Sequence, residues 1–297
     1  MTNYDENTHA IITVDVGGSH LTSAICLEYQ QIDEVTYMRK EFSSKASADV
    51  ILDSWCNCIA HTIASSQATA AGIAFAMPGP FDYEEGICYI KGLNKYEALY
   101  GMNIKEALSA RLGIAESKFR FRNDAEATIA GEVAFGAGIG RSRVLGVTLG
   151  TGFGSAFFDG ETTKDINLGS EPFRDSIADD HLSTRWFLRR YHELTGLNAG
   201  GVKELALLAE TQSTPREIFK EFAEGFVEFI SLYIDRFRPE TIVLCGNIAK
   251  AWKHFLPVIQ RKINVPVVIS TLGENAALIG AASLFNNADA TISEVAK

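Results

Sequence analysis

VTLGTGFGSA, residues 147–156, runs from β-branched residues into a tight glycine-rich turn, and VDVGGSH, residues 14–20, does the same about 130 positions earlier. A strand that breaks at Gly-Gly or Gly-x-Gly marks a place where backbone comes close to something, because glycine has no Cβ to hold a neighbour off. One such hairpin is ordinary turn chemistry. Two in one chain predict a single α/β unit used twice.

The flanking segments agree. AIITVDV (10–16) is a dense β-branched strand, HLTSAICLEY continues it after the Gly17–Gly18 turn, and VTYMRKEF (35–42) adds a third strand. Residues 48–66 place Ile51, Trp55, Ile59 and Ile63 at i, i+4 spacing, which predicts a helix with one apolar face. AAGIAFAM is a buried strand ending in Pro-Gly-Pro, and NIKEALSARLG is a short helix with Asn103 and Glu106 at capping-box spacing and a stop at Gly113. FRFRN leads straight into a helix from about Asp124 to Gly136. After the second hairpin, residues 214–237 form a long amphipathic helix, with Thr214 as N-cap, Pro215 at the first helical position and Glu217 completing the box. ETIVLCGNIAKAWKHFL reads as strand, turn and helix, PVVIS as a strand, and GENAALIGAASLF as a small-residue helix. A ligand would lie in the cleft between two such packed lobes. Phe219, Phe222, Phe226, Phe229 and Phe237 on the long helix read as core.

Composition narrows the class. The 297 residues are 46% hydrophobic and 22% charged, with a net charge of −10, which argues against a nucleic-acid surface. The polar, acidic start is unlike a signal peptide, and no run of about 18 apolar residues occurs, so a cytoplasmic protein without a membrane span is expected. The five cysteines, Cys26, Cys56, Cys58, Cys88 and Cys245, are scattered in apolar surroundings and read as buried free thiols.

The hairpin tips carry chemistry beyond the turn itself. Backbone N–H groups of a tight glycine turn form an anion-binding nest. Asp15, just before the first turn, suits a divalent cation reached directly or through water, and Thr148 and Thr151 offer hydroxyls to phosphate oxygens. Together they suit a Mg·nucleotide clamp. Asp124 has two readings: an N-cap, where Asp is favoured, or a general base rigidly held between strand and helix.

ITVDVGGSHLTSAI, GIAFAMPGPFD, RNDAEATIAGE, VTLGTGFGSAFFDG, IVLCGNIAKAW and LGENAALIGAASL follow one another as in sugar kinases of the ROK family, and the resemblance spans about residues 10–285. It implies a duplicated ribonuclease-H-like α/β fold of the actin/Hsp70/sugar kinase type, two lobes around a central cleft. The lobes would be residues 1–122, joined by the closing helix at about 280–297, and residues 123–279. It further implies ATP with Mg as cofactors, a small-molecule sugar as substrate, a homodimer, and neither nucleic acid nor membrane as partner. The phosphate-gripping residues would be Asp15, Gly17, Gly18 and Ser19, then Thr148, Gly150, Thr151, Gly152 and Gly154. Gly246 and Asn247 would lie on the adenosine side, and Asp15 would hold Mg via ATP. Asp124 becomes the general base, paired with Asn123. Asn94 resembles a sugar-binding asparagine, with an exposed loop residue as the alternative.

The resemblance breaks after the second turn. ROK kinases carry Glu-x-Gly-His and then a cysteine-rich zinc motif ending in Cys-Leu-Glu. Here the stretch is NLGSEPFRDSIADDHLSTRWF, with Glu171 at the first Glu, Arg174 at the His, and Asp179 at the last Glu. No zinc site is expected. Arg174 is either an exposed charge or a partner for an acid or phosphate on an unusual substrate; His181 reads as a surface or core residue. Glu126 replaces an asparagine common in the family. The resemblance therefore implies an ATP-dependent kinase acting on a hydroxyl, the 6-OH, of a hexose or N-acylhexosamine. The alternative is a catalytically silent or divergent sugar-binding regulator. A DNA-binding ROK repressor is disfavoured, since about nine residues precede the first strand.

Overall fold

Both glycine hairpins form, and each lies inside a sheet of the same construction. The computed structural model describes residues 9–66 and 68–286. Its two compact units are the chain up to Gly131 joined by the segment from Asn275, and Glu132–Glu274.

In the first unit β1 (Ala10–Val16) pairs antiparallel with β2 (His20–Leu27), which pairs antiparallel with β3 (Gln31–Glu41). Helix α1 (Ala48–Ser65) leads to β4 (Ala70–Met77), parallel to β1. A ribbon of β5 (Phe81–Asp82) and β6 (Ile87–Cys88) precedes α2 (Ile104–Leu112) and β7 (Phe119–Asn123), which is parallel to β4. The sheet order is β3-β2-β1-β4-β7. Ile51, Trp55 and Ile59 of α1 are buried, whereas Ile63 is 41% exposed. At 100° per residue, a strict i, i+4 line drifts about 120° in three steps. Buried Thr62 therefore takes the inward position, donating its hydroxyl to the Thr36 carbonyl at 3.3 Å. The capping contact in α2 forms as read: Asn103 Oδ1 accepts the Glu106 N–H at 3.0 Å, and Gly113 closes the helix at φ 68°.

The chain enters the second unit within α3 (Asp124–Phe135). There β8 (Val144–Leu149), β9 (Phe153–Phe158) and β10 (Thr163–Asp165) form an antiparallel meander. A ribbon of β11 (Pro172–Phe173) and β12 (Ser176–Ile177) follows, then α4 (Ala178–His181), α5 (Thr184–Thr195), α6 (Val202–Ala209) and α7 (Ser213–Phe237). The parallel strands β13 (Thr241–Cys245) and β14 (Val267–Ile269), with α8 (Leu256–Lys262) between them, complete the order β10-β9-β8-β13-β14. Position for position this is the order of the first sheet, so the duplication read from the two hairpins is present in the topology.

Two helical expectations need correction. Helix α7 starts at Ser213 with Gln212 as an N-cap lacking a side-chain bond, so the Thr214–Glu217 box does not form. The Thr211 and Gln212 amides both donate to the Leu208 carbonyl, which carries the end of α6 directly into α7. After β13 the chain makes a 3-10 segment, Ala249–His254, and a separate α8, because Pro257 cannot continue a helix begun before it. The phenylalanines of α7 are core as read, and all five cysteines are free and buried.

Helix α9 (Asn275–Ala282) returns to the first unit and packs on β1 and β4. Its small residues let it meet α3 at backbone distance: a Cβ on Gly280 would lie 1.7 Å from the Ala127 carbonyl oxygen. Of the expected closing helix, residues 287–297 lie outside the described residues. No described helix is long and apolar enough to cross a membrane.

Candidate active site

In the first unit the parallel strands β1, β4 and β7 end together. Asp15 pairs with Ala76, Ala76 with Arg122, and Met77 with Asn123, so Asp15 and Asp124 emerge at the same end of the sheet, two strands apart. Ligands of open α/β sheets gather at the carboxyl ends of such strands.

Asn123 supplies the cap of α3. Its Oδ1 accepts the Glu126 N–H at 3.1 Å, while its Nδ2 donates to the Tyr83 hydroxyl at 3.2 Å. The capping alternative for Asp124 is thereby taken by the residue before it. Asp124, at the first helical position and half-buried, accepts the Ala125 N–H at 2.8 Å. Burial raises its pKa, against the opposing pull of the Lys95 charge and the Ala125 N–H. Glu126 pairs with Arg122 at 3.1 Å. Asp15 is half-buried, and Gly18 and Ser19 are exposed at the hairpin tip, where the Gly17 N–H donates to the His20 carbonyl at 2.9 Å. A Cβ on Gly17 would lie 2.9 Å from the His20 ring. Asn94 is exposed at φ 58°, its N–H bonded to Glu97 Oε1 at 3.1 Å.

In the second unit the glycine turn is tied from two directions. The Gly150 N–H donates to the Gly152 carbonyl at 3.0 Å, and the Thr184 N–H at the start of α5 donates to the Gly150 carbonyl at 2.8 Å. Asp179 Oδ1 accepts the Phe153 N–H at 2.5 Å, and Oδ2 pairs with Arg185. Thr151 is exposed at the tip, and Gly154 lies in β9 opposite Thr148. Gly246 follows β13 at φ 88°, where a Cβ would lie 2.4 Å from the Leu149 carbonyl oxygen. The Ile248 N–H donates to that same oxygen at 3.0 Å, which brings Gly246 and exposed Asn247 to the mouth of the glycine turn.

The divergent stretch lies beside this turn. The Glu171 carbonyl accepts the Ala178 N–H at 3.0 Å, closing the ribbon. Arg174, at φ 55° on the ribbon tip, stacks on Phe173 and pairs with Glu228 Oε2 of α7 at 2.5 Å. The partner is a carboxylate of the protein itself, which neither reading of Arg174 named. His181 sits edge-on to Phe173, with Nε2 2.9 Å from Asp175 Oδ1 but not aligned for a hydrogen bond. Among the described residues no group of three or more His, Cys, Asp or Glu could hold a metal ion. Asp15 as a hard oxygen donor suits Mg, which binds through one or two carboxylates together with substrate phosphates and water.

The first unit thus assembles Asp15, Gly17, Gly18, Ser19, Asn123 and Asp124 at one sheet end. The second assembles Thr148, Gly150, Thr151, Gly152, Gly154, Asp179, Gly246 and Asn247. Sequence reasoning passed over Tyr83, Lys95, Thr184 and Arg185. The one signal available was Ser183 with Gly196, which bracket α5 as cap-type residues.

The ROK family model matches residues 11–164. A glucokinase of Thermotoga maritima is 26% identical over 318 aligned residues, covering 92% of this chain and 96% of that protein. A ROK family glucokinase from Streptomyces griseus, solved with glucose and AMPPNP, superposes with a TM-score of 0.77 at 19% identity, over 93% of this chain and 98% of that one. A ROK family transcriptional regulator, a homologue of the E. coli MLC protein, superposes at 0.78 with 16% identity, over 94% of this chain and 78% of that one. The two five-stranded sheets are those of the actin-like ATPase fold to which ROK sugar kinases belong. With the family model spanning more than half of its length and the fold in agreement, the chain belongs to the ROK family.

Proposed function

We propose that this protein is a sugar kinase that transfers the γ-phosphoryl group of Mg·ATP to a hydroxyl, the 6-OH, of a hexose or N-acylhexosamine. The carbohydrate-kinase class rests on the family match and the glucokinase relative. The observation that carries the mechanism is the placing of Asp124: a half-buried carboxylate at the carboxyl end of β7, on the same sheet end as Asp15 and the first glycine turn.

Asp124 accepts the hydroxyl proton as the sugar oxygen bonds to the γ-phosphorus. The bond from that phosphorus to the β,γ-bridging oxygen breaks, and ADP leaves with the electron pair. Burial makes Asp124 a stronger base than an ordinary aspartate, which suits it to take that proton. The amides of Gly18 and Ser19 and the hydroxyls of Thr148 and Thr151 bind phosphate oxygens, and Gly246 and Asn247 line the adenosine side. Asp15 holds Mg, which when bound neutralises charge on the phosphates. Asn94, Asn123, Glu171 and Asp179 serve the sugar. A cytoplasmic homodimer completes the reading.

A second reading is a sugar-binding regulator without catalysis. It draws on the divergent stretch, where Arg174 is paired with Glu228 and both Asp179 oxygens have partners inside the protein. One assay separates the two: Mg·ATP consumption over a panel of hexoses, hexosamines and N-acylhexosamines, with Asp124→Asn in parallel. Turnover stimulated by one sugar and lost in Asp124→Asn supports the kinase. A sugar that binds and is never phosphorylated supports the regulator.

A further inference from the structure

The first glycine turn owes its outward face to a residue that lies nearly 80 positions further along the chain. Tyr96 donates its phenolic hydrogen to the Gly17 carbonyl. Two further carbonyls around the tip are bonded within the protein: Ser19 accepts the Phe42 N–H at 3.0 Å and His20 accepts the Gly17 N–H at 2.9 Å. Gly18 and Ser19 stand exposed at the tip. An anion nest works only while N–H groups, and no carbonyl oxygen, face the ligand.

We propose that Tyr96 is a positioning residue for nucleotide binding: its hydroxyl holds the Gly17 carbonyl away from the phosphates and fixes the turn whose Gly18 and Ser19 amides meet them. The inference rests on the kinase reading above. Tyr96 is held firmly for the task. It is fully buried, edge-on to Trp55 at 5.8 Å between ring centres and tilted against Phe42 at 6.2 Å. Its own N–H donates to the Ser44 carbonyl at 2.7 Å. Its backbone sits at φ 56°, a left-handed conformation in which a bulky side chain is an outlier, kept only where the surroundings demand it. Burial first, then the charges of Asp15 and Asp124, push the phenol pKa up, so the hydroxyl stays a donor across the working pH range.

The same residue ends the loop that carries Asn94 and Lys95, so a role at the acceptor sugar must be told apart from one at the nucleotide. Tyr96→Phe keeps the ring and removes the hydroxyl. Trp55→Phe disturbs the same aromatic cluster without breaking a hydrogen bond, since the Trp55 indole N–H has no partner among the described residues. Mg·ATP affinity is measured by titration calorimetry without sugar, and KM for ATP and for the sugar by steady-state kinetics. The expected result for Tyr96→Phe is about tenfold weaker Mg·ATP binding with the sugar KM within twofold of wild type; Trp55→Phe stays within twofold in both. Equal losses in the two variants, or a change in sugar KM alone, overturn the positioning role, as does unchanged nucleotide affinity in Tyr96→Phe. If the wild-type protein itself neither binds Mg·ATP nor phosphorylates any sugar, the kinase reading falls and takes this inference with it.

Discussion

Asp179 places its Oδ1 2.5 Å from the amide nitrogen of Phe153, 26 residues earlier in the chain. With Oδ2 on Arg185, the carboxylate ties the start of α5 to the first residue of β9, at the edge of the second glycine turn. Gly152 accommodates it: a Cβ there would lie 2.8 Å from Oδ1. Asp179→Ala removes the acceptor of a part-buried amide and is expected to lower stability by about 1–3 kcal/mol. Asp179→Asn, which keeps one carbonyl oxygen for Phe153, should lose less. Urea denaturation of the two variants beside wild type checks the order.

If Asp124 is the general base proposed above, its raised pKa links catalysis and stability with opposite signs. The folded protein binds this proton more tightly than the unfolded chain. The stabilising contribution is therefore full below the unfolded pKa of about 3.9 and is lost as pH rises through the folded pKa. Asp124→Asn should reduce kcat by about 10²- to 10⁴-fold. At neutral pH the same variant should melt at a higher temperature than wild type, and the advantage should shrink towards pH 4. Thermal melts across pH test the sign: a variant that melts lower at neutral pH contradicts it. The acid limb of kcat/KM should likewise lie above the range of an ordinary aspartate.

Gly246 combines a left-handed φ with the Leu149 carbonyl 2.4 Å from where a Cβ would stand. Gly246→Ala is expected to destabilise by more than the roughly 1–3 kcal/mol of ordinary overpacking, and to weaken nucleotide binding. Gly113 has a similar φ of 68° but open space around it, so Gly113→Ala should lose only about 1 kcal/mol. Measuring both by chemical denaturation separates backbone strain from steric collision.

Glu132 is fully buried, yet its carboxylate is well supplied with donors. Ser270 Oγ lies at 2.5 Å, and the amides of Ala137, Leu272 and Thr271 at 2.8, 2.9 and 3.2 Å. Glu132→Ala leaves a buried void and strands several part-buried donors at once, and should destabilise by about 3 kcal/mol or more. Glu132→Gln, which keeps one acceptor oxygen, should fall between that and wild type. Hydrogen exchange at residues 270–272 should quicken in step.

Burial lifts the thiol pKa of Cys56 and of Cys58 to about 11, and that of Cys26 to about 12. At pH 8 the thiolate fraction at Cys56 and Cys58 is then about 10²-fold below that of a free cysteine. A thiol-reactive dye should leave the native protein nearly unlabelled over minutes and label all five cysteines in guanidinium chloride.

What the chain displays in its letters is periodic or local. The β-branched runs into Gly17 and Gly150, the phenylalanines of α7 and the Asn103 cap are each readable within a single element, and each is where the reading placed it. The contacts that shape the candidate site are of another kind. Tyr96 to Gly17, Asp179 to Phe153 and Arg174 to Glu228 join positions far apart in the chain, through side chains whose composition alone does not name a partner. The local errors have local causes: the 100° step of the helix carries Ile63 off the buried face of α1, and the start of α7 is fixed by where α6 ends.

The second unit is one uninterrupted segment, whereas the first is completed only by α9, which lies on β1 and β4. During synthesis, Glu132–Glu274 can leave the ribosome and close its own core while the earlier sheet still lacks the helix that covers it. Protection of β1 and β4 from a protease should then arrive last, after most of the polypeptide has emerged. A nascent chain stalled just before Asn275 would expose Ile11, Ala74 and their neighbours to chaperones at the moment when its other half is already sound.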